Sequence, residues 1–384
     1  MYKRLFFLIT FLLIFNNFFA QRMIFVEDSL TKERLKDVQI IVDDQVYYTN
    51  DDGAALIPKN NSDIQFSSST YRIKKIKSLT DVVLLQPIYK DIEEVVIGKK
   101  VDVIEIINKV LYSDYRKNYY LNESTFLINL KQKAYVDNRI NNILVSDLNL
   151  WTKNTMYNYS LKVNSLDDFI NMNVNQTKYQ KSNTKSSLFN DIQLYPSDFV
   201  YNLFMNVKLS NILTDVKDNK ATVKSSLTFE DKDYQRVEFS YDTSIGSANG
   251  FVLFNKSDKV ITSLELNYIY KNSNVTNKVN GSGKKYQTIT EKSTVKFDEY
   301  KKDGKYYPAR VLIKGIGKNI IDNTDHPFTF EQSIIYKQQK KSNIEGLKNK
   351  IDLSKPLIEN IPTNQVKSSK TLLSSEEQKF VDEP

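Results

Sequence analysis

The chain has no cysteine, a single histidine and a single tryptophan. Without cysteine there is no disulfide, no thiol nucleophile and no thiolate metal site. The residue that carries the N-terminal lipid of a bacterial lipoprotein is missing as well. One histidine, His326, does not make a two-histidine zinc site. No G-x-S-x-G, no phosphate-binding loop and no dinucleotide glycine motif occurs. Ten glycines and eight prolines exclude collagen-like and glycine-linker chains.

Charged residues make up 26% and hydrophobic residues 40%, the balance of a globular protein. Its 384 residues suffice for two domains, at roughly 150 residues each. The 24 tyrosines and 21 phenylalanines favour pleated, half-buried surfaces, and so β structure. The formal net charge is +8. The lysines are scattered among acids and asparagines, with no arginine-rich helix and no zinc-finger spacing, so no nucleic-acid partner is expected. Attraction to an anionic membrane surface fits this charge better.

The N-terminus reads "MYKRLFFLITFLLIFNNFFAQ". Lys3 and Arg4 precede an apolar core from Leu5 to Phe15, and Ala20 stands before Gln21. This is the order of a secretory signal, assigned to 1–20. The core is short for a membrane span of roughly 20 residues. Export is therefore expected, to the periplasm or to association with the outer membrane.

From Arg22 to about Pro87 short strand-like runs alternate with turn residues. In "VQIIV" (38–42), Val38, Ile40 and Val42 share a face. Asn50, Asp51, Asp52 and Gly53 follow "QVYYT". Their carboxylates are consecutive, whereas a calcium loop spaces its ligands at alternate positions. A tight turn is the better reading, with Asn closing it and Gly supplying positive φ.

The stretch "VEDSLTKERLKDVQIIVDDQVYYTNDDGAALIP" resembles the carboxypeptidase-regulatory-like domain of exported Gram-negative proteins. The residues that carry the resemblance are Asp28, Thr31, Glu33, Leu35, Asp37, Val38, Thr49, Asp52, Gly53 and Pro58. The glycine usual at the start of that domain is missing from "RMIFVED". The resemblance implies a seven-stranded transthyretin-like β-sandwich over 22–90, an accessory module with no catalytic residues. "IEEVVIGKK" (92–100) resembles the connector that follows this domain in TonB-dependent outer-membrane receptors. The rest of the chain lacks the repeated segments of roughly ten alternating residues that a membrane barrel needs, and "SSEEQKFVDEP" is not an aromatic closing strand.

Residues 91–120 are expected to be a connector and a helix. Val103, Ile106, Ile107, Val110 and Leu111 have helical spacing. Over 121–337 strand-like runs dominate. One helix is expected near 195–209, started by Pro196 and Ser197. Two hairpins stand out, one across Lys256-Ser257-Asp258 and one at Asp303-Gly304. "GFVLFNKSDKVITSLEL" followed by "VKFDEYKKDGKYYPARVLIKG" resembles exported proteins with a lipoprotein-carrier-like half-barrel. That resemblance implies a curved antiparallel sheet over an apolar groove, with a few helices. Residues 338–384 turn polar and lose all period, which reads as a mobile tail.

Few residues suit chemistry. Asp322 and Asp325 stand near His326 in a loop-like stretch, but a satisfied loop histidine is the plainer account. The pairs Asp43-Asp44, Glu93-Glu94 and Asp167-Asp168 would point to opposite faces of a strand. Trp151 suits a core anchor better than a ligand wall. Ser29, in "DSL", resembles a bacterial O-glycosylation acceptor. No metal or cofactor is expected.

These readings converge on a mainly β, non-enzymatic exported envelope protein. It would act as a binding or assembly module with envelope or outer-membrane proteins as partners. The alternative is a carrier of an acyl chain or other apolar ligand. Its groove would be lined by Phe229, Phe239, Phe251, Phe254, Leu264 and Phe297, which otherwise fill the core. A peptidase-associated enzyme comes third.

Overall fold

The computed structural model describes residues 21–58, 63–88, 101–157, 168–183, 202–271, 275–279, 283–342, 346–353, 355, 360–361 and 371–383. The expected signal, the connector at 92–100, Glu93-Glu94, Asp167 and the Pro196-Ser197 helix start lie outside them. The protein is mainly β. It divides into two compact units, 1–89 with 372–378, and 90–371 with 379–384.

The smaller unit is a seven-stranded sandwich. Its strands are β1 (Gln21–Asp28), β2 (Gln39–Val42), β3 (Gln45–Tyr48), β4 (Ala54–Pro58), β5 (Ile64–Ser68), β6 (Tyr71–Ile76) and β7 (Val82–Leu85). One sheet has the order β4-β1-β7 and the other β3-β2-β5-β6. The period-two alternation puts Ile24 and Val26 of one sheet against Val38, Ile40 and Phe66 of the other. The turn after β3 is closed by Asn50, whose Oδ1 accepts from the amides of Asp52 and Ala54, each at 3.0 Å. Gly53 has φ +70°, and a Cβ there would stand 2.8 Å from Arg34 Cβ, so both conformation and space require glycine. Asp28 accepts from the Leu30 amide at 2.7 Å and the Tyr71 hydroxyl at 2.8 Å. Buried Thr49 accepts from the Val38 amide at 3.0 Å and donates to the Leu35 carbonyl at 2.7 Å.

The larger unit is a curved antiparallel sheet that does not close into a barrel. Its strands are β8 (Asn122–Val136), β9 (Arg139–Asn154), β10 (Ile170–Ser182), β11 (Lys224–Glu230), β12 (Tyr234–Thr243), β13 (Gly246–Asn255), β14 (Val260–Tyr270), β15 (Val275–Val279), β16 (Lys285–Lys302), β17 (Lys305–Ile321) and β18 (Thr324–Lys341). The order is β10-β9-β8-β18-β17-β16-β14-β13-β12-β11, with β15 paired on β16. One cross-strand row runs Leu227, Val237, Val252, Leu264, Phe297, Val311, Ile334, Leu130, Ser146, Thr177. It is apolar across eight strands and defines the inner face. A neighbouring row on the outer face reads Glu238, Phe251, Glu265, Lys296, Leu312, Ser333, Lys131.

Helices cover the inner face. α1 (Val103–Lys109) is capped by Asp102, whose carboxylate accepts from the amides of Ile104 and Glu105. A π-helical turn (Val110–Asp114) carries it into α2 (Tyr115–Tyr119). α3 runs Met205–Asp218 and overlaps the last residues of the helix expected near 195–209, whose start is not among the described residues. Val103, Ile107, Val110 and Leu111 join Leu209 and Ile212 of α3 in one core with the inner-face strand residues.

Where the structure describes it, the stretch after 337 is not a mobile tail. β18 continues to Lys341, and Ile351, Leu353 and Ile361 are buried in the larger core. The Ile351 amide donates to the Met172 carbonyl on edge strand β10 at 2.8 Å. Leu373 is buried, and α4 (Ser375–Asp382) follows a Ser374/Glu377 capping box. Isolated aliphatics docking one at a time leave no periodic signature in a polar text.

Candidate functional site

The inner face brings together four of the six residues expected to line a groove. Phe239, Leu264 and Phe297 are buried in the core and Phe254 packs against it. Phe251 lies on the outer face, cross-strand from Glu238 and Glu265. Phe229 is half-buried on β11 and outside that core. The six therefore do not line one surface. The helices occupy the space that a groove would need. Among the described residues, a cavity of about 30 Å³ is lined by Tyr115, Tyr119, Phe126, Glu299, Tyr306 and Tyr336 among others. That is roughly enough for one water.

Glu299 is the unusual member of this lining. A register shift between Asp298 and Glu299, opposite Ala309, interrupts the β16–β17 ladder. Glu299 keeps some solvent contact, yet its carboxyl is densely surrounded. Desolvation, and then repulsion from Asp298, raise its pKa well above the usual carboxylate range. The tyrosines beside it are fixed. Tyr119 donates to the Ile261 carbonyl at 2.8 Å and accepts from the Ile261 amide at 2.7 Å. Tyr115 stacks on Tyr119 with centroids 4.5 Å apart. Tyr306 donates to Asp258 at 2.6 Å, and Lys301 donates to the same carboxylate at 2.7 Å; these two bonds hold Asp258 below its ordinary pKa. The result is a carboxyl whose neutral form is favoured by burial, set among phenols in space for about one water.

The outer face carries the roomier feature, an open depression of about 410 Å³ over β11–β14. Arg236, Glu238, Asn249, Phe251, Glu265 and Asn267 are among its lining residues. The alternation that buries Val237 and Phe239 turns Arg236 and Glu238 outward. Arg236 lies over the Phe251 ring, 4.3 Å from its centroid, pairs with Glu238 and reaches Thr228 Oγ1 at 3.1 Å. Its Nε is buried and has no hydrogen-bond partner among the described residues. Asn267 donates to Glu265 at 3.1 Å and accepts from Thr294 at 2.7 Å. Glu238 and Glu265 are separated by β13 and Phe251, so they do not act as a contacting pair. Beyond the depression, buried Asp298 accepts from Ser263 at 2.8 Å and Arg310 at 3.2 Å.

His326 stands on β18 rather than in a loop, cross-strand from Asn319, with Nδ1 3.1 Å from Asp137 Oδ2. Asp322 is in the adjacent turn and pairs with Lys284; Asp325 pairs with Lys318 at 2.6 Å. The three do not converge. Trp151 is buried on β9, on the face opposite Leu150. Ser29 is half-exposed in the turn after β1, with its amide donating to the Leu85 carbonyl at 2.8 Å. Among the described residues, no group of three or more His, Cys, Asp or Glu could hold a metal ion.

Sequence reasoning missed Glu299, Arg236, Asn249 and Asn267. The alternation in "YQRVEFSYD" could have shown Arg236 and Glu238 on one face, but not the strands beside them.

No family model matches the chain, and no curated protein matches it. A solved structure from Bacteroides fragilis NCTC 9343, of a protein of unknown function described as a candidate membrane-associated protein, is similar at 8% identity. The match covers 83% of this chain and 97% of that one, with a TM-score of 0.14. So low a score carries no argument about fold or role. Among the described residues, no helix is long and apolar enough to cross a membrane.

Proposed function

We propose that the protein is a non-enzymatic exported binding module of the cell envelope, and that its binding site is the outer-face depression. The observation that carries this reading is an open space of about 410 Å³ bordered by a guanidinium, two carboxylates and two carboxamides on adjacent strands. A depression of roughly 300 Å³ or more accepts a small molecule. Its mixture of donors and acceptors suits a hydroxyl-rich ligand, such as a saccharide of the envelope. Each acid is already engaged, Glu238 by Arg236 and Glu265 by Asn267, which favours recognition over acid–base chemistry. For the carrier reading, the cavity lined by Tyr115, Tyr119 and Glu299 among the described residues measures about 30 Å³.

Titration calorimetry of the chain from Gln21 onward with envelope saccharide fragments tests this. Binding is expected, with a loss of about tenfold in Asn267→Ala, the scale of one or two lost hydrogen bonds. Wild-type protein that takes none of them, or hydrolysis abolished by Glu238→Gln, would overturn the reading.

A further inference from the structure

Beyond that depression, the same outer face changes character toward one end of the sheet. The register places Ile269, Lys292 and Ile316 in one cross-strand row, and Val275, Ile289 and Lys318 in the next. The alternation that sends Leu266 and Ile313 into the core sends Ile269 and Ile316 out. The β12–β13 turn reaches this end too, because the Lys271 amide donates to the Ile245 carbonyl at 2.9 Å.

Two properties coincide here. Among the described residues nine large apolar side chains are exposed, and five of them are Ile245, Ile269, Val275, Val279 and Ile316. Val279 is 59% exposed and Ile316 45%. Aliphatics gathered in this way mark a contact surface, whereas single exposed ones need no account. Exposed charge in the same stretch has one dominant sign. From 269 to 292 the described residues include Lys271, Lys278, Lys284, Lys285 and Lys292 against Glu291. Lys285 and Lys292 lie on the outer face, cross-strand from Val279 and Ile269, whereas Lys278 is cross-strand from buried Tyr286 on the other face and Lys284 pairs with Asp322.

We propose that this end of the outer face docks on an anionic lipid surface. Aliphatic side chains separated by lysines form shallow knobs that enter the headgroup layer while the ammonium groups meet phosphates. A second copy of the chain is the poorer occupant, since it would bring the same positive charge to the contact. The proposal does not depend on the saccharide reading, because its residues lie outside the depression.

The test is co-sedimentation of the chain from Gln21 onward with vesicles of phosphatidylcholine, with and without phosphatidylglycerol. Binding is expected only with the anionic lipid, falling as salt is raised. Replacing Lys285 and Lys292 with Gln should weaken it about twenty-five-fold, near fivefold per lysine. Val279→Ser with Ile316→Ser should weaken it about tenfold. Lys341→Gln with Lys350→Gln, away from the patch, should leave binding within about twofold of wild type. Circular dichroism melting confirms that each variant is folded. Absence of binding, equal binding to neutral vesicles, or patch variants that bind like wild type would overturn the proposal. So would sedimentation velocity showing that the patch variants only dissociate a dimer.

Discussion

At the scale of single residues, Glu299 is placed to make stability depend on pH. Its pKa is raised in the folded chain from an ordinary value of 4.5, with burial the first cause. The folded state therefore holds a proton that the unfolded chain releases. Its contribution is fully present below pH 4.5 and is lost as pH rises through the folded value. Glu299→Gln keeps the shape and removes the ionisation. The variant should match wild type near pH 4 and exceed it progressively at higher pH, by up to about 1.4 kcal/mol per pH unit within the window. Urea denaturation across that range checks this. Parallel curves for the two proteins would mean that Glu299 ionises freely in the folded state. This site was not legible in "KFDEYKK", because the environment of the carboxyl comes from tyrosines on α2, β17 and β18.

At the scale of elements, the turns show what a sequence discloses. Asp303-Gly304 was readable as a hairpin because glycine takes positive φ freely, and both residues do so, at +48° and +75°. Asp43-Asp44, Asp137-Asn138 and Asp322-Asn323 make the same two-residue turn without glycine. Asp43-Asp44 looked like paired carboxylates and Asp322 like part of a histidine-centred loop, because Asp and Asn serve both purposes. The amphipathic helix at 103 was legible from spacing alone, and Asp102 supplies its cap. Lys259 ends the turn after Lys256-Ser257-Asp258 with φ +58°, where glycine is usual. Lys259→Gly should raise the stability of the larger unit by about 0.5–1 kcal/mol, by relieving left-handed strain. A loss of stability in urea would show that the turn tolerates lysine without strain.

At the scale of the whole molecule, two separate cores imply two unfolding events. Ile40 is buried in the sandwich and Phe297 in the larger unit. Calorimetry should resolve two transitions, with Ile40→Ala lowering one and Phe297→Ala the other, by about 2–5 kcal/mol each. A single transition moved by both would show that the cores unfold together. The division near residue 90 was readable from the change of pattern after the sandwich. The return of 372–378 to the first unit was not, since Leu373 and the Asn50–Leu373 hydrogen bond leave no period in the text.

The seam between β8 and β18 joins the sheet across a long stretch of chain, with Gln332 donating to Gln132 from 200 residues away. The β8–β9–β10 hairpins can form from local sequence, as can the meander from β11 to β18. Neither block completes the sheet until the loop between them is closed, and such long-range closure is slow. Until then β8 and β18 each present a row of bare amides and carbonyls to any strand nearby. The interval between synthesis and closure is thus the time at which this chain most needs a chaperone.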